Sequence, residues 1–258
     1  MNSFNHNSGH YLDIQDAKIY YEETGNPDKP VLLLLHGGFG TIDDFNTILP
    51  ILQEHFRVIG IDSRAQGKST KGKDKLTYEL LQHDVEAVLK YLNIKELSII
   101  GFSDGGIIGY RLAAFSSLKI TKLITIGSRW NINDTLLIKD VFLKITPESW
   151  KQKFPETFNA YQKYNLNPDF DDLTKQLVNM WLDPNESGQP NEHIQKIKCL
   201  IMVVRGDEDH LFSITSATNL TEKVENAVFF NIPFAGHGAF TDQPEMFEIA
   251  LKHFLIEQ

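Results

Sequence analysis

A serine that could act as a nucleophile lies in Gly101-Phe-Ser-Asp-Gly105, which matches the pattern G-x-S-x-G. An apolar run at residues 97–100 precedes the motif and a helical pattern follows it, so Ser103 is predicted to lie on a tight turn from a strand to a helix. Such a turn places the hydroxyl near a helix N-terminus, where the helix dipole favours a developing negative charge. The alternative is a glycine-rich turn that carries a serine by coincidence.

A serine hydroxyl becomes an effective nucleophile only beside a general base, which is itself oriented by an acid. The apolar run at residues 200–204 leads into Asp207 and Asp209, and the run at residues 227–232 leads into His237. Because these runs follow the serine along the chain, the order is serine, acid, histidine. Both aspartates are candidates for the acid. His210 is the alternative to His237 as base, although it lies beside the acid and before the final strand.

The elements that must position these side chains alternate along the chain. Wholly apolar runs bounded by turn residues predict strands that are buried on both faces; they occupy residues 31–35, 56–61, 97–100, 120–126, 200–204 and 227–232. Helical patterns lie at residues 76–92, 103–115, 213–224 and 244–256. A polar Gln15-Asp16 pair between residues 11–14 and 18–22 predicts an antiparallel hairpin. We therefore expect an α/β fold, with a mostly parallel sheet and helices on both faces.

Residues 128–196 break this alternation, since they contain no buried strand and many aromatic side chains. We expect a helical cap inserted into a core formed by residues 1–127 and 197–258. All three tryptophans lie in this segment. Most are expected to form the cap's own small core. Some should line a substrate pocket, because aromatic side chains dominate the walls of such pockets, and Trp130 is the candidate.

Composition excludes several classes of protein. The 258 residues carry 25 Lys and Arg against 34 Asp and Glu, a net charge of −9, with no basic cluster that would bind nucleic acid or an anionic membrane. The single cysteine, Cys199, excludes a disulfide scaffold and is expected in the core. No apolar run could span a bilayer, and no secretory signal or metal-binding motif is visible. We expect a cytoplasmic protein that binds a small-molecule substrate without a cofactor or metal, as a monomer or homo-oligomer.

Four motifs, in order along nearly the whole chain, resemble the α/β-hydrolase superfamily. They are His36-Gly-Gly-Phe-Gly40, Gly101-Phe-Ser-Asp-Gly-Gly106, Gly206-Asp-Glu-Asp209 and Gly236-His237. The Ser-Asp-Gly-Gly segment and the moderate cap are most similar to the biphenyl-hydrolase-like (valacyclovir-hydrolase-like) esterases. The resemblance implies an α/β-hydrolase fold. It also implies a serine hydrolase that cleaves a small ester, thioester or amide through an acyl-enzyme.

The resemblance also implies roles for individual residues. Asp209 is favoured over Asp207 as the acid, because the third position after the glycine is the family's usual place. The oxyanion hole is expected from the backbone N–H groups of Asp104 and Gly38, with Phe39 as the alternative to Gly38. Phe39 is also a candidate substrate contact.

The side chain of Asp104 is the most informative position for substrate choice. One hypothesis is that it attracts a cationic group, such as the α-amino group of an amino-acid ester. The alternative is that it points to solvent or holds the turn. Asp62-Ser-Arg-Ala-Gln-Gly-Lys-Ser69 resembles a structural loop of the family, in which Ala65 stands where glycine is common; His36 is also expected to be structural.

Other functions remain open within the same fold. C–C bond hydrolases, lactonases, prolyl-peptidase-like enzymes and cofactor-free haloperoxidases share the triad, and a non-catalytic hydrolase-like binding protein is the alternative from another class.

Overall fold

Residues 3–257 are described in a computed structural model of the protein, so residues 1–2 and 258 of the predicted core lie outside the described part. Eight strands form one sheet: β1 (His10–Ile14), β2 (Ala17–Gly25), β3 (Val31–Leu35), β4 (Arg57–Ile61), β5 (Glu96–Phe102), β6 (Lys119–Ile126), β7 (Leu200–Gly206) and β8 (Ala227–Ile232). Their spatial order is β1-β2-β4-β3-β5-β6-β7-β8; β2 pairs antiparallel with both β1 and β4, and the other neighbouring pairs are parallel. The predicted mostly parallel α/β architecture is confirmed.

Helices cover both faces of the sheet. Outside the segment between β6 and β7 they are α1 (Leu49–His55), α2 (Tyr78–Tyr91), α3 (Asp104–Phe115), α9 (Ile214–Lys223), α10 (Ala239–Asp242) and α11 (Pro244–Leu255). Side chains of α2, α3 and α9 pack on one face, and those of α1, α10 and α11 pack on the other. Successive side chains of a strand point to opposite faces of the sheet, and here helices shield both faces from water. Every position of β3 can therefore be apolar, which explains its run of leucines.

Five short helices connect β6 to β7: α4 (Ile132–Leu137), α5 (Lys139–Leu143), α6 (Pro147–Lys153), α7 (Pro155–Tyr164) and α8 (Phe170–Trp181). A 3₁₀ turn at Asn191–Lys196 completes the segment, which we call the helical insertion. The insertion packs over the loop after β3, where the Phe39 ring stacks on Trp150 with centroids 4.0 Å apart. The division of the chain into a core domain and a cap domain stays a prediction.

Two short elements in the N-terminal half of the chain were not predicted from the sequence. A 3₁₀ turn at Ile42–Phe45 and helix α1 follow β3. Each is too short for a helical period to be visible in the sequence.

No helix within residues 3–257 has the length and apolar character that crossing a membrane requires.

The loop at residues 62–69 has the contacts of a structural element. The Asp62 carboxylate is fully buried and accepts the N–H groups of Ile42 (3.0 Å) and Lys68 (2.8 Å). Arg64 forms a bidentate ion pair with Asp84 of α2, at 2.7 and 2.6 Å. Ala65 has a φ of 70°, the left-handed region that glycine adopts without a steric penalty.

A buried histidine joins the N-terminal segment to this loop and to the helical insertion. His6 is 1% exposed, and its ring nitrogens lie 2.8 Å from Asp62 Oδ2 and 3.1 Å from Asp43 Oδ1. The Tyr164 ring stacks on the imidazole at a centroid distance of 4.1 Å. Burial disfavours the charged imidazole, but hydrogen bonds and charge from the two carboxylates outweigh it and raise the pKa of His6 to about 9.

This raised pKa gives the stability a pH dependence. A histidine has a pKa of about 6.5 when unfolded, so the stabilisation from protonated His6 is complete below pH 6.5 and is lost as the pH rises towards 9. The free energy of unfolding, measured in urea between pH 6 and 9.5, should fall by a few kcal/mol across that window. In His6→Gln the decrease should be much smaller. An equal decrease in both proteins would contradict the assignment.

Candidate active site

Ser103 lies at the end of β5 in a strained conformation, with φ 51° and ψ −114°, directly before the first residue of α3. A side chain at Gly105 would collide with the backbone carbonyl of Leu35, so the turn can form only with glycine there. The Ser103 N–H donates to Ile126 O at 2.8 Å, which ties the turn to the neighbouring strand. Backbone strain of this kind persists only where the surroundings fix it, and it is typical of a nucleophile turn.

The loops after β7 and β8 bring an imidazole and a carboxylate to the serine. His237 Nε2 lies 3.0 Å from Ser103 Oγ, and His237 Nδ1 lies 2.9 Å from Asp209 Oδ2. The Asp209 side chain is fully buried, whereas that of His237 is 21% exposed. The structure therefore brings together the three side chains that the sequence singled out.

The environment of Asp209 keeps it ionised. Burial by itself would raise its pKa, but the hydrogen bond and charge of His237, together with the N–H groups of Leu211 and Phe212, hold the pKa below its ordinary value. Arg205 fixes the same loop by donating from Nη2 to Asp209 O at 2.9 Å. This anchoring by Arg205 was not predicted from the residue pattern.

The two alternative residues lie elsewhere. Asp207 is exposed, and its Oδ1 accepts the N–H of Ala235 at 3.2 Å instead of a histidine. His210 is exposed at the wall of the cavity described below, and it is His237 that reaches Ser103.

Cys199 is half-buried against the core, and burial raises the pKa of its thiol to about 11, so it stays protonated.

Two backbone N–H groups near Ser103 are candidates for the oxyanion hole. Asp104 is the first residue of α3, where a helix N–H has no partner within the helix. Neither this N–H nor that of Gly38 has an acceptor within residues 3–257, and both residues line the same cavity as Ser103. Free N–H groups beside a nucleophile can stabilise an oxyanion.

Ser103 and His237 lie in the wall of a cavity of about 780 Å³ between the sheet edge and the helical insertion. Its wall is mostly apolar, and six aromatic side chains contribute to it: Phe102, Phe142, Trp150, Phe154, Trp181 and Phe240. A cavity of this size and character fits a small organic molecule. No group of three or more potential metal ligands occurs in the described part of the chain.

The structure corrects the two aromatic substrate contacts expected from the sequence. Trp130 is 3% exposed and does not line the cavity, because its indole N–H donates to Ser216 O at 2.9 Å. Phe39 is also buried outside the wall, stacked behind Trp150 and edge-on to Trp181. The tryptophans that do line the cavity are therefore Trp150 and Trp181.

The carboxylate of Asp104 is 2% exposed, which excludes the alternative in which it points to solvent. Its Oδ1 accepts the Tyr78 hydroxyl at 2.8 Å, and both its oxygens lie 2.9 Å from Trp181 Nε1. Burial raises the pKa of Asp104, and the hydrogen bonds from Trp181 and Tyr78 oppose that rise. A methyl group at position 38 would lie 2.8 Å from Asp104 Oδ2, so this oxygen faces the Gly38 backbone.

Neither Tyr78 nor Trp181 was expected at the site. Tyr78 is the first residue of α2, and its hydroxyl stays protonated because burial raises its pKa. Trp181 is the last residue of α8 in the insertion. Their role follows from tertiary packing, and the spacing of residues along the chain contains no signal for it.

Comparisons with known proteins agree with this geometry. A model of the α/β hydrolase fold family matches residues 30–187. The bifunctional esterase/perhydrolase DCH of Acinetobacter calcoaceticus is 25% identical over 273 residues, covering 95% of this chain and 99% of that protein. The human serine hydrolase BPHL is 23% identical over 259 residues, covering 94% of this chain and 84% of that protein.

Solved structures show the same fold. The crystal structure of a hydrolase from Pseudomonas aeruginosa superimposes with a TM-score of 0.78 at 21% sequence identity. The superposition covers 98% of this chain and 100% of that one, so the shared fold includes the helical insertion.

Proposed function

The chain belongs to the α/β-hydrolase fold family, and from this premise we propose that it is a serine hydrolase of small carboxylic esters, thioesters or amides. Enzymes of this family catalyse many reactions on one fold, so the reaction has to be argued from the site. The observation that carries the proposal is the continuous chain of contacts from Ser103 Oγ through His237 to Asp209.

The proposed reaction has two halves, formation of an acyl-enzyme and its hydrolysis, and Ser103, His237 and Asp209 act in both. Ser103 Oγ attacks the carbonyl carbon and passes its proton to His237 Nε2, while the carbonyl oxygen becomes an oxyanion facing the N–H groups of Gly38 and Asp104. The leaving alcohol, thiol or amine takes the proton from His237, and an acyl-enzyme remains on Ser103. Water then attacks the acyl carbon with His237 as base, which releases the acid and restores the serine.

The ionised state of Asp209 supports this assignment. A buried carboxylate on Nδ1 fixes the imidazole with Nε2 facing the serine, and it stabilises the imidazolium that forms after the proton transfer. The apolar side chains in the wall would displace water from a bound acyl group, which strengthens the electrostatic interactions at the oxyanion.

Labelling by a fluorophosphonate tests the proposal directly. The protein should gain the mass of one phosphonyl group, located on the peptide that contains Ser103, and should hydrolyse a panel of p-nitrophenyl esters of graded chain length. A protein that is neither labelled nor active on the panel is instead a non-catalytic member of the family.

We further propose that Asp104 favours substrates with a cationic group next to the scissile carbonyl, such as amino-acid esters. The carboxylate lies in the cavity wall beside Ser103, and its hydrogen bonds come from Tyr78 and Trp181, which are both neutral donors. The charge of Arg129 acts on it through space and favours its ionised form, but no direct ion pair to Asp104 occurs within residues 3–257. A substrate ammonium group at Oδ2 would supply that missing ion pair.

The preference can be measured with phenylalanine p-nitrophenyl ester and its N-acetyl analogue. The native protein should hydrolyse the amino ester about 10- to 100-fold more efficiently in kcat/KM, as expected for one charge-assisted hydrogen bond. In Asp104→Asn this ratio should fall towards one, because the amide keeps the shape and loses the charge. Equal ratios in the two proteins would show that Asp104 only holds the turn.

A further inference from the structure

A guanidinium with no carboxylate partner among the described residues lies in the wall of the same cavity. Arg129 follows β6 and is 4% exposed. Its Nε donates to Thr135 Oγ1 at 3.0 Å, its Nη1 donates to Leu211 O at 3.2 Å, and its Cζ lies 4.6 Å from the centroid of the Phe142 ring. All three partners are neutral, and Nη2 makes no hydrogen bond within residues 3–257.

The other buried arginines are satisfied by the protein itself. Arg64 pairs with Asp84, and Arg111 lies 3.7 Å from Glu79. Arg205 uses all three of its nitrogens on oxygen acceptors of the chain. Arg129 alone among these four lines the cavity. Its unused nitrogen is therefore available to something that enters from the cavity.

The charges around Arg129 do not neutralise it by contact. No carboxylate lies within 4 Å of it in the described residues. Asp104, the buried acid in the same wall, interacts with Arg129 only through space, and its oxygens already accept from Tyr78 and Trp181. Asp140, Lys144 and Lys153 also line the cavity, but they are exposed, so water screens their charge.

The third acid in the wall, Asp44, is half-buried, and burial raises its pKa to about 6. It is therefore still largely ionised at pH 7, but it forms no ion pair with Arg129 among the described residues. A buried guanidinium that is stacked on an aromatic ring and fixed through two nitrogens presents the third one in a set direction. This arrangement suits an anion, because a hydrogen bond from a charged guanidinium N–H to a carboxylate is stronger than one between neutral groups.

We propose that Arg129 binds a carboxylate of the substrate while the scissile carbonyl lies at Ser103. This inference rests on the proposed hydrolase function and gives it a substrate class, namely esters, thioesters or amides that carry a free carboxylate away from the bond that is cleaved. The carboxylate can belong to the acyl part or to the leaving group, since Arg129 contacts both the helical insertion and the loop after Asp209.

Two pairs of substrates distinguish these sources. Monoethyl adipate and diethyl adipate differ in a carboxylate on the acyl part, and 4-acetoxybenzoate and its methyl ester differ in a carboxylate on the leaving group. In at least one pair the native protein should prefer the anion by about 10- to 100-fold in kcat/KM, the factor that one hydrogen bond between charged groups supplies. No preference in either pair would overturn the proposal.

Variants of Arg129 separate binding from a structural role. Arg129→Gln should remove the preference mainly through a higher KM for the anionic ester, and should change the kinetics on the neutral ester much less. Arg129→Lys, which keeps the positive charge without the guanidinium group, should retain part of the preference. Lys153→Gln removes an exposed charge at the same cavity and should keep most of the preference. An equal loss on anionic and neutral esters would show that Arg129 only supports the fold.

Adipate binding keeps this proposal separate from the proposed reaction. Ser103→Ala should bind adipate in calorimetry, and dimethyl adipate should bind more weakly by the same factor as above. If adipate binds while no ester is hydrolysed and Ser103 is not labelled, the proposed reaction fails and the carboxylate site stands. If esters are hydrolysed and adipate binds no better than its diester, the carboxylate site fails and the reaction stands.

Discussion

Replacing Ser103 by alanine is expected to lower kcat on any ester substrate by a factor of about 10⁴ or more. The methyl side chain cannot attack the carbonyl, and His237 then has no proton to transfer, so the three side chains fail as a unit. The measurement is initial-rate kinetics on the best p-nitrophenyl ester, with fluorophosphonate labelling of the same samples.

The control for this experiment is Ser187→Ala, whose hydroxyl donates to Asp183 outside the cavity. It should keep full activity and labelling. Ser103→Ala should remain folded by circular dichroism, and its melting temperature should not fall. The Ser103 hydroxyl makes no hydrogen bond that caps α3, so its removal leaves the helix N-terminus as it is. More than about one per cent residual activity in a pure sample would contradict the assignment of Ser103 as nucleophile.

The second large effect is expected for Asp209→Asn, which should lower kcat by about 10³- to 10⁴-fold. The amide keeps the size of the side chain but cannot stabilise the imidazolium, and it allows the other tautomer of His237. KM should change little, since Asp209 is fully buried behind His237 and does not reach the substrate.

Asp207→Asn is the matched control, because it makes the same chemical change two residues away. Its Oδ1 accepts only the N–H of Ala235 at 3.2 Å among the contacts of the described chain, so activity should stay within about twofold. Full activity in Asp209→Asn together with loss in Asp207→Asn would reverse the assignment of the acid.

Much of the fold could be predicted from the sequence because its signals are local. The apolar run of β3 and that of β8 were predicted with the boundaries that the structure has. Strands β5 and β7 extend further than the apolar runs, to Phe102 and Gly206, because hydrogen bonding to neighbouring strands continues where the apolar pattern stops. The position of Ser103 between β5 and α3 followed from the same local signals.

The wall of the cavity could not be predicted in this way. Trp130, Trp150 and Trp181 all lie in a segment with weak periodicity, and their orientation depends on how five short helices pack on the sheet. The pairing of Tyr78 and Trp181 with Asp104 joins residues that are 26 and 77 positions from it in the sequence. Contacts at such separations leave no trace in the residue pattern of either segment.

The hydrogen bond from Trp181 to Asp104 has a consequence for how substrate choice could diversify. The three proposed catalytic side chains lie on the loops of the sheet, so the helical insertion could in principle be exchanged between relatives without moving them. An insertion without an indole or similar donor at this place would leave a buried carboxylate with one partner fewer, at a cost of about 1–3 kcal/mol. Acidic residues after the nucleophile and donors at the end of the insertion should therefore be inherited together, as a matched pair.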